Sequence, residues 1–163
     1  MAKKKPNLKT DRFAAIFDMD GTLVDTTKIN DMIRGKKLGP SPELDAYHVA
    51  AEQCPPHEWV VRLAKDLSTA GLDIFVVSAR HEKHRDATVR WLELYDVPVK
   101  KIYLREDGDD RPDAETKIEN LSRINDAEEI IILAIDDNPS TIEIWQNAGI
   151  PTIVVPGYVG DKK

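Results

Sequence analysis

Two aspartates one residue apart, Asp18 and Asp20, end a short uncharged run, Phe13-Ala14-Ala15-Ile16-Phe17, and Gly21 and Thr22 follow them. The run has the length and character of a buried strand. Side chains two apart on an extended segment point the same way, so both carboxylates can face one cavity. Open α/β sheets bind their ligands at the C-terminal ends of their strands. Gly21 permits a sharp turn, and Thr22 offers a hydroxyl and an amide. Taken alone, the stretch suits a solvated Asp-Gly turn equally well. It fits a calcium loop poorly, because the glycine and glutamate required at positions six and twelve would be Leu23 and Ile29.

Two further strand-like runs also end in polar groups. Residues 72–77 lead into Ser78-Ala79-Arg80, and residues 130–135 into Asp136-Asp137. In a parallel sheet these ends share one edge, which gathers Asp18, Asp20, Asp136 and Asp137. Two like charges about 4 Å apart repel by about 4 kcal/mol at an effective dielectric of 20. Such a cluster needs protons or a cation. All-oxygen ligation favours a hard ion, and Mg²⁺ is the usual one where phosphate is handled. Ser78, Arg80 and a lysine would then meet the phosphate oxygens, the arginine through its two-pronged fork.

The elements that must position these groups alternate along the chain. Strands are predicted at 12–18, 72–77, 99–104, 130–135 and 152–155. Helices are predicted at 43–53, from Pro56 to Gly71, and at 82–95, 114–124 and 139–149. The second helix carries the stripe Trp59, Val60, Leu63, Ala64 and Leu67, and the third carries Ala87, Trp91, Leu94 and Tyr95. Alternation of this kind implies an α/β fold, a parallel sheet with helices on both faces. Residues 24–55 read as a small excursion of loop and helix after the first strand, too short for a large cap. Residues 105–112 read as a solvated charged loop. Residues 1–11, with Lys3, Lys4, Lys5 and Lys9, read as a flexible basic tail before a single domain over 12–163.

A chain of 163 residues that is 41% hydrophobic can bury a full core. The net charge of −6 argues against broad adhesion to nucleic acid or anionic membrane. A single cysteine, Cys54, leaves no internal disulfide. No run suggests a signal peptide or a membrane span, so a cytoplasmic protein without a stable protein partner is expected.

The motifs DMDGTL, the serine of VVSAR, Lys117 in AETKIE and the acidic pair of LAIDDNP resemble, in that order, those of the haloacid dehalogenase superfamily of phosphatases. The resemblance covers about residues 12–156. It implies a Rossmann-like fold with a small or minimal cap, and metal-assisted phosphoryl transfer. Asp18 would be the nucleophile that forms an aspartyl-phosphate. Asp20 would protonate the leaving group and then activate water, its pKa raised by neighbouring carboxylates. Mg²⁺ would be held by Asp18, the main-chain carbonyl of Asp20, and Asp136, with Asp137 in support. Thr22, Ser78, Arg80 and Lys117 would bind phosphate. Ser78-Ala79-Arg80 and Asp113, four residues before Lys117, further resemble the 3′-phosphatase domain of phage-type polynucleotide kinases. There Asp113 would orient Lys117 by an ion pair, or else be a surface acid at a helix N-terminus.

No GxxxxGK[ST] loop is present, so the kinase half of those enzymes has no counterpart in the sequence. His81 and His84 lack the spacing of a zinc-binding HExxH helix and read as surface residues. His48 and His57 are isolated in sequence. The expectation is a Mg²⁺-dependent phosphomonoesterase acting on a phosphorylated substrate, in particular nucleic-acid 3′ ends. A small-molecule phosphatase for nucleotides or sugar phosphates, and a catalytically idle protein that binds phosphorylated ligands, remain open.

Overall fold

The computed structural model describes residues 11–35, 41–126 and 129–160. The lysines of the expected basic tail lie outside those residues. Five parallel strands form one sheet in the order β3-β2-β1-β4-β5. They are β1 (Arg12–Phe17), β2 (Asp73–His81), β3 (Val99–Arg105), β4 (Glu129–Asp136) and β5 (Thr152–Val154). The helices are α1 (Pro42–Ala51), α2 (Glu58–Thr69), α3 (Arg85–Leu94), α4 (Asp113–Asp126) and α5 (Pro139–Asn147), with 3₁₀ turns at Thr27–Met32 and Glu82–His84.

Strand alternation sorts the core into two layers. Ala15, Phe17, Ile74 and Val76 face Val60, Val61 and Ala64 of α2 and Trp91 and Leu92 of α3. Ala14, Ile16, Phe75 and Val77 face Leu121 and Ile124 of α4 and Trp145 of α5. The sheet is therefore covered on both faces, as the alternation of elements requires. The helices start where their caps dictate. The Ser41 hydroxyl accepts from Leu44 N at 3.1 Å before Pro42, and Asn138 caps α5 before Pro139.

Three details depart from the sequence reading. Trp59 and Leu94 are largely exposed, because the faces that α2 and α3 bury run through Val60, Val61 and Ala64, and through Ala87, Thr88, Trp91 and Leu92. Strand β2 continues through Ser78 and Arg80 to His81, pairing with Arg105 of β3 across a register shift. The very apolar β4 leaves Ile132 exposed: it is the residue skipped where the pairing with β1 shifts register, Ala14 facing Ile131 and Ala15 facing Leu133.

Chain order sets the site. After β1 the chain builds β2 and β3 on one side, then crosses to β4 and β5 on the other. The reversal falls between β1 and β4, the place where sheets of this kind open a ligand crevice.

Candidate active site

Asp18 follows the last residue of β1, and its amide donates to Ile135 O of β4 at 3.0 Å. Asp136 is the last residue of β4. Helix α4 sends Lys117 between them. Its Nζ donates to Asp18 Oδ1 at 2.7 Å and to Asp136 Oδ2 at 3.0 Å, and all three side chains are buried. Asp136 is also held by Trp145 Nε1 and by the amide of Asn138, each at 3.0 Å. Asp137 accepts from Thr22 Oγ1 at 3.2 Å and packs over Gly21. A Cβ on Gly21 would stand 2.2 Å from Asp137 Oδ2, and φ there is +81°, so the turn needs glycine for both room and conformation.

Oxygens of Asp18, Asp136 and Asp137 lie within 4.8 Å of one another. Burial pushes the Asp18 carboxyl up to about 7, with Asp136 and Asp20 adding to the rise and Lys117 opposing it. Burial, and then the charges of Asp18 and Asp136, hold the Asp137 carboxyl well above its usual range. Burial disfavours the Lys117 ammonium, but Asp136 and Asp18 overcome that and raise its pKa. One ammonium thus faces three buried carboxylates, and negative charge is in excess. An all-oxygen set with unbalanced charge fits a hard divalent cation.

Asp20 faces elsewhere. Both of its oxygens are taken by Arg80, Nη2 at 2.6 Å and Nε at 2.7 Å, and Arg80 Nη1 donates to Thr88 Oγ1 at 3.0 Å. Burial alone would raise the Asp20 carboxyl, but the Arg80 charge and hydrogen bonds, then His48 and His84, bring it below its usual value. Two expectations are corrected. Neighbouring carboxylates do not raise Asp20, and the buried Arg80 guanidinium is engaged with Asp20 and Thr88 rather than turned to the cleft. Both follow from β2 lying beside β1, which sets the two side chains face to face.

The remaining residues sort in the same way. Ser78 and Lys117 line the cleft that Asp18, Asp20 and Asp137 share, a space of about 590 Å³ partly open to solvent. Thr22 is fully buried, its hydroxyl turned to Asp137 instead of the cleft. Asp113 lines the cleft but pairs with Arg105, not with Lys117. Arg105 is buried and also donates to the carbonyls of Ala79, Asp109 and Arg111. The 105–112 segment is therefore pinned from below, not merely solvated. Neither His81 nor His84 is at the surface; both are buried. His48, silent in sequence, lines the cleft with Nε2 3.8 Å from Asp20 Oδ2. Trp145 and His48 carried no motif signal, because their partners Asp136 and Asp20 lie 9 and 28 residues away and only the fold joins them; Arg105 gave none because it ties Ala79 of β2 to Asp113 at the start of α4.

The polynucleotide kinase PNKP phosphatase domain family matches residues 12–157. No curated protein matches the chain. A chain in the structure of a Pnkp1/Rnl/Hen1 complex superposes with a TM-score of 0.77 at 21% identity, over 99% of this chain and 53% of its own length. This chain thus spans about half of that relative. The class C acid phosphatase from Bacillus anthracis with tungstate bound superposes at 0.59 and 20% identity, over 90% of this chain and 67% of its own. A haloacid dehalogenase-like hydrolase from Streptococcus pneumoniae superposes at 0.61 and 16% identity, over 93% and 88%. The chain belongs to the PNKP phosphatase domain family and is a phosphatase of the haloacid dehalogenase superfamily.

Proposed function

We propose that the chain hydrolyses phosphate monoesters at nucleic-acid 3′ ends through an aspartyl-phosphate on Asp18, with residues 12–160 acting as one catalytic unit and 24–55 as its small cap. The observation that carries this reading is the convergence of Asp18, Lys117 and Asp136 at the sheet's switch point, on a cleft that also holds Asp20 and Ser78. The family match and the likeness to a Pnkp1 chain support the substrate class.

Asp18 is the group placed to attack phosphorus, since it alone joins the carboxylate cluster at the mouth of β1. Lys117 holds one Asp18 oxygen and so fixes which oxygen is free to attack. A Mg²⁺ ion held by Asp18, Asp136, Asp137 and the main-chain carbonyl of Asp20 would supply charge neutralisation and polarise a phosphoryl oxygen. Ser78 and the Lys117 ammonium meet the remaining oxygens. As the phosphorus–oxygen bond to the leaving group breaks, Asp20 delivers a proton to that oxygen. It then takes a proton from the water that attacks the aspartyl-phosphate, returning Asp18 and releasing phosphate. Arg80 keeps Asp20 ionised at rest, the form needed for the second step. The negative charge of an incoming phosphate ester favours its protonation for the first.

The test is turnover of a 3′-phosphorylated oligonucleotide beside a 5′-phosphorylated one and an aryl phosphate, each with Mg²⁺ and with chelator, for wild type and Asp18→Asn. Selective Mg²⁺-dependent release from the 3′ end, lost in the variant, is expected. Release from aryl phosphate alone would discard the nucleic-acid assignment and favour a small ester, a reading the net charge of −6 supports. Full turnover by Asp18→Asn would overturn the mechanism.

A further inference from the structure

On the far side of Asp20 from the carboxylate cluster lies a second group of ligand-type side chains: Asp45 and His48 of α1, and His84 after β2. One donor atom from each lies within 4.8 Å of the others. We infer that these three residues form a second metal site, selective for a first-row transition ion of the zinc class and distinct from the oxygen-only cluster at Asp18.

Three observations carry the inference. Asp45 and His48 are three apart on one helix and so share a face. Asp45 Oδ1 and His84 Nε2 are 3.1 Å apart, and bonds of about 2.0–2.1 Å at a tetrahedral centre hold adjacent donors about 3.3 Å apart. The pair is therefore already at metal-ligand spacing. His48 supplies the second independent sign. It is 95% buried by exposure of only 5%, and its Nδ1 has no hydrogen-bond partner among the described residues. Buried polar atoms are normally paired, so an imidazole with one nitrogen unsatisfied, on a side chain grouped with a carboxylate–histidine pair, has ligating capacity that the protein leaves unused.

The donor set decides the ion. Two imidazoles and one carboxylate suit zinc and its neighbours, whereas Mg²⁺ prefers the carboxylates at Asp18, Asp136 and Asp137. Lys83 competes only in part. Its ammonium sits 2.5 Å from Asp45 Oδ2, leaving Oδ1 to face the histidines, and its half-exposed stem can swing into solvent. His81 lies outside this group but beside it, with Nδ1 3.7 Å from the same Oδ1 and Nε2 3.4 Å from Asp109 O. An ion here would tie α1 to the end of β2. Leu44 and Tyr47 of α1 line the catalytic cleft, so the site would fix one wall of it.

The experiment uses untagged protein stripped with chelator and then titrated with Zn²⁺ and Co²⁺ in excess Mg²⁺. Native mass spectrometry reads stoichiometry, and the visible absorption of Co²⁺ reads nitrogen ligation. Wild type is expected to keep one Zn²⁺ against Mg²⁺. Asp45→Asn and His84→Gln should each weaken Zn²⁺ binding at least about tenfold, while Asp136→Asn should retain it. Asp45 is partly exposed, so its variant reads the site even where His84→Gln disturbs folding. No Zn²⁺ in wild type, displacement by Mg²⁺, or equal binding by Asp45→Asn would each overturn the inference. The outcome is independent of the phosphatase reading, which stands or falls on Asp18.

Discussion

Arg80→Gln separates two roles for one guanidinium. In sequence the residue matches a phosphate ligand; in the structure it grips both oxygens of Asp20 at 2.6 and 2.7 Å from a fully buried position. Glutamine keeps an amide donor but removes the charge. A close opposite charge depresses a carboxyl by about 1–3 units, so the Asp20 carboxyl should rise by that amount, the more so because its burial persists. With saturating Mg²⁺, the pH profile of kcat/KM for a poor leaving group should extend to higher pH by about 1–3 units, since Asp20 stays protonated longer. The parameter kcat/KM reports steps through departure of the leaving group, which isolates the acid role proposed for Asp20 from its proposed later base role. Inhibition by inorganic phosphate should change less than about threefold, because the guanidinium is committed to Asp20 and Thr88; loss of a charge-assisted bond to the anion would cost about 1.5–3 kcal/mol instead. A phosphate-binding Arg80 gives the opposite pattern: inhibition weakened more than about tenfold and an unmoved pH profile. That result would refute the positioning role.

Other perturbations read the rest of the site. The Asp18 carboxyl sits at about 7 when folded against an ordinary value of 3.8. Between those values the folded state holds a proton that the unfolded state has lost, so metal-free stability falls as pH rises through that window, by up to about 1.4 kcal/mol per unit. Asp18→Asn should therefore melt higher than wild type in chelator at about pH 8, with the gap closing towards about pH 4, while turnover is lost. A thermal melt series checks it, and a flat difference would contradict it. Gly21→Ala must strain a φ of +81° and displace Asp137, costing about 1–3 kcal/mol in denaturant titration and weakening Mg²⁺ activation about tenfold. Trp145→Phe keeps an aromatic ring, though a smaller one, and removes the donor to Asp136 Oδ2, so stability should fall by at least about 1.5–3 kcal/mol and the Mg²⁺ requirement rise.

What sequence made legible was the part that the main chain decides. Apolar runs of strand length, proline and serine at helix starts, and glycine in the turn after Asp20 predict elements whose ends lie on one edge, and Asp18, Ser78 and Asp136 are found there. The i, i+2 rule says that Asp18 and Asp20 leave the same side of the chain. It does not say what each will meet across the cleft, because that depends on which strand lies to either side of β1. With β4 on one side, Asp18 joins Asp136 and Lys117. With β2 on the other, Asp20 meets Arg80.

The same reasoning explains why Asp113 pairs with Arg105 rather than with Lys117. Lys117, the fifth residue of α4, reaches inward to the two strand ends, and Asp113, one helical turn earlier, falls over the end of β3, where Arg105 is buried. A motif that sets two residues four apart fixes their spacing along one helix, but each of the two is claimed by different strand ends. The two acids of the first motif are divided likewise, one into a carboxylate cluster in need of a cation and one onto an arginine that already supplies the charge. Asp18 and Asp20, the proposed nucleophile and proton carrier, sit two residues apart; burial, with Asp136 adding to it, raises the Asp18 carboxyl, whereas Arg80 of β2 outweighs burial at Asp20 and lowers it.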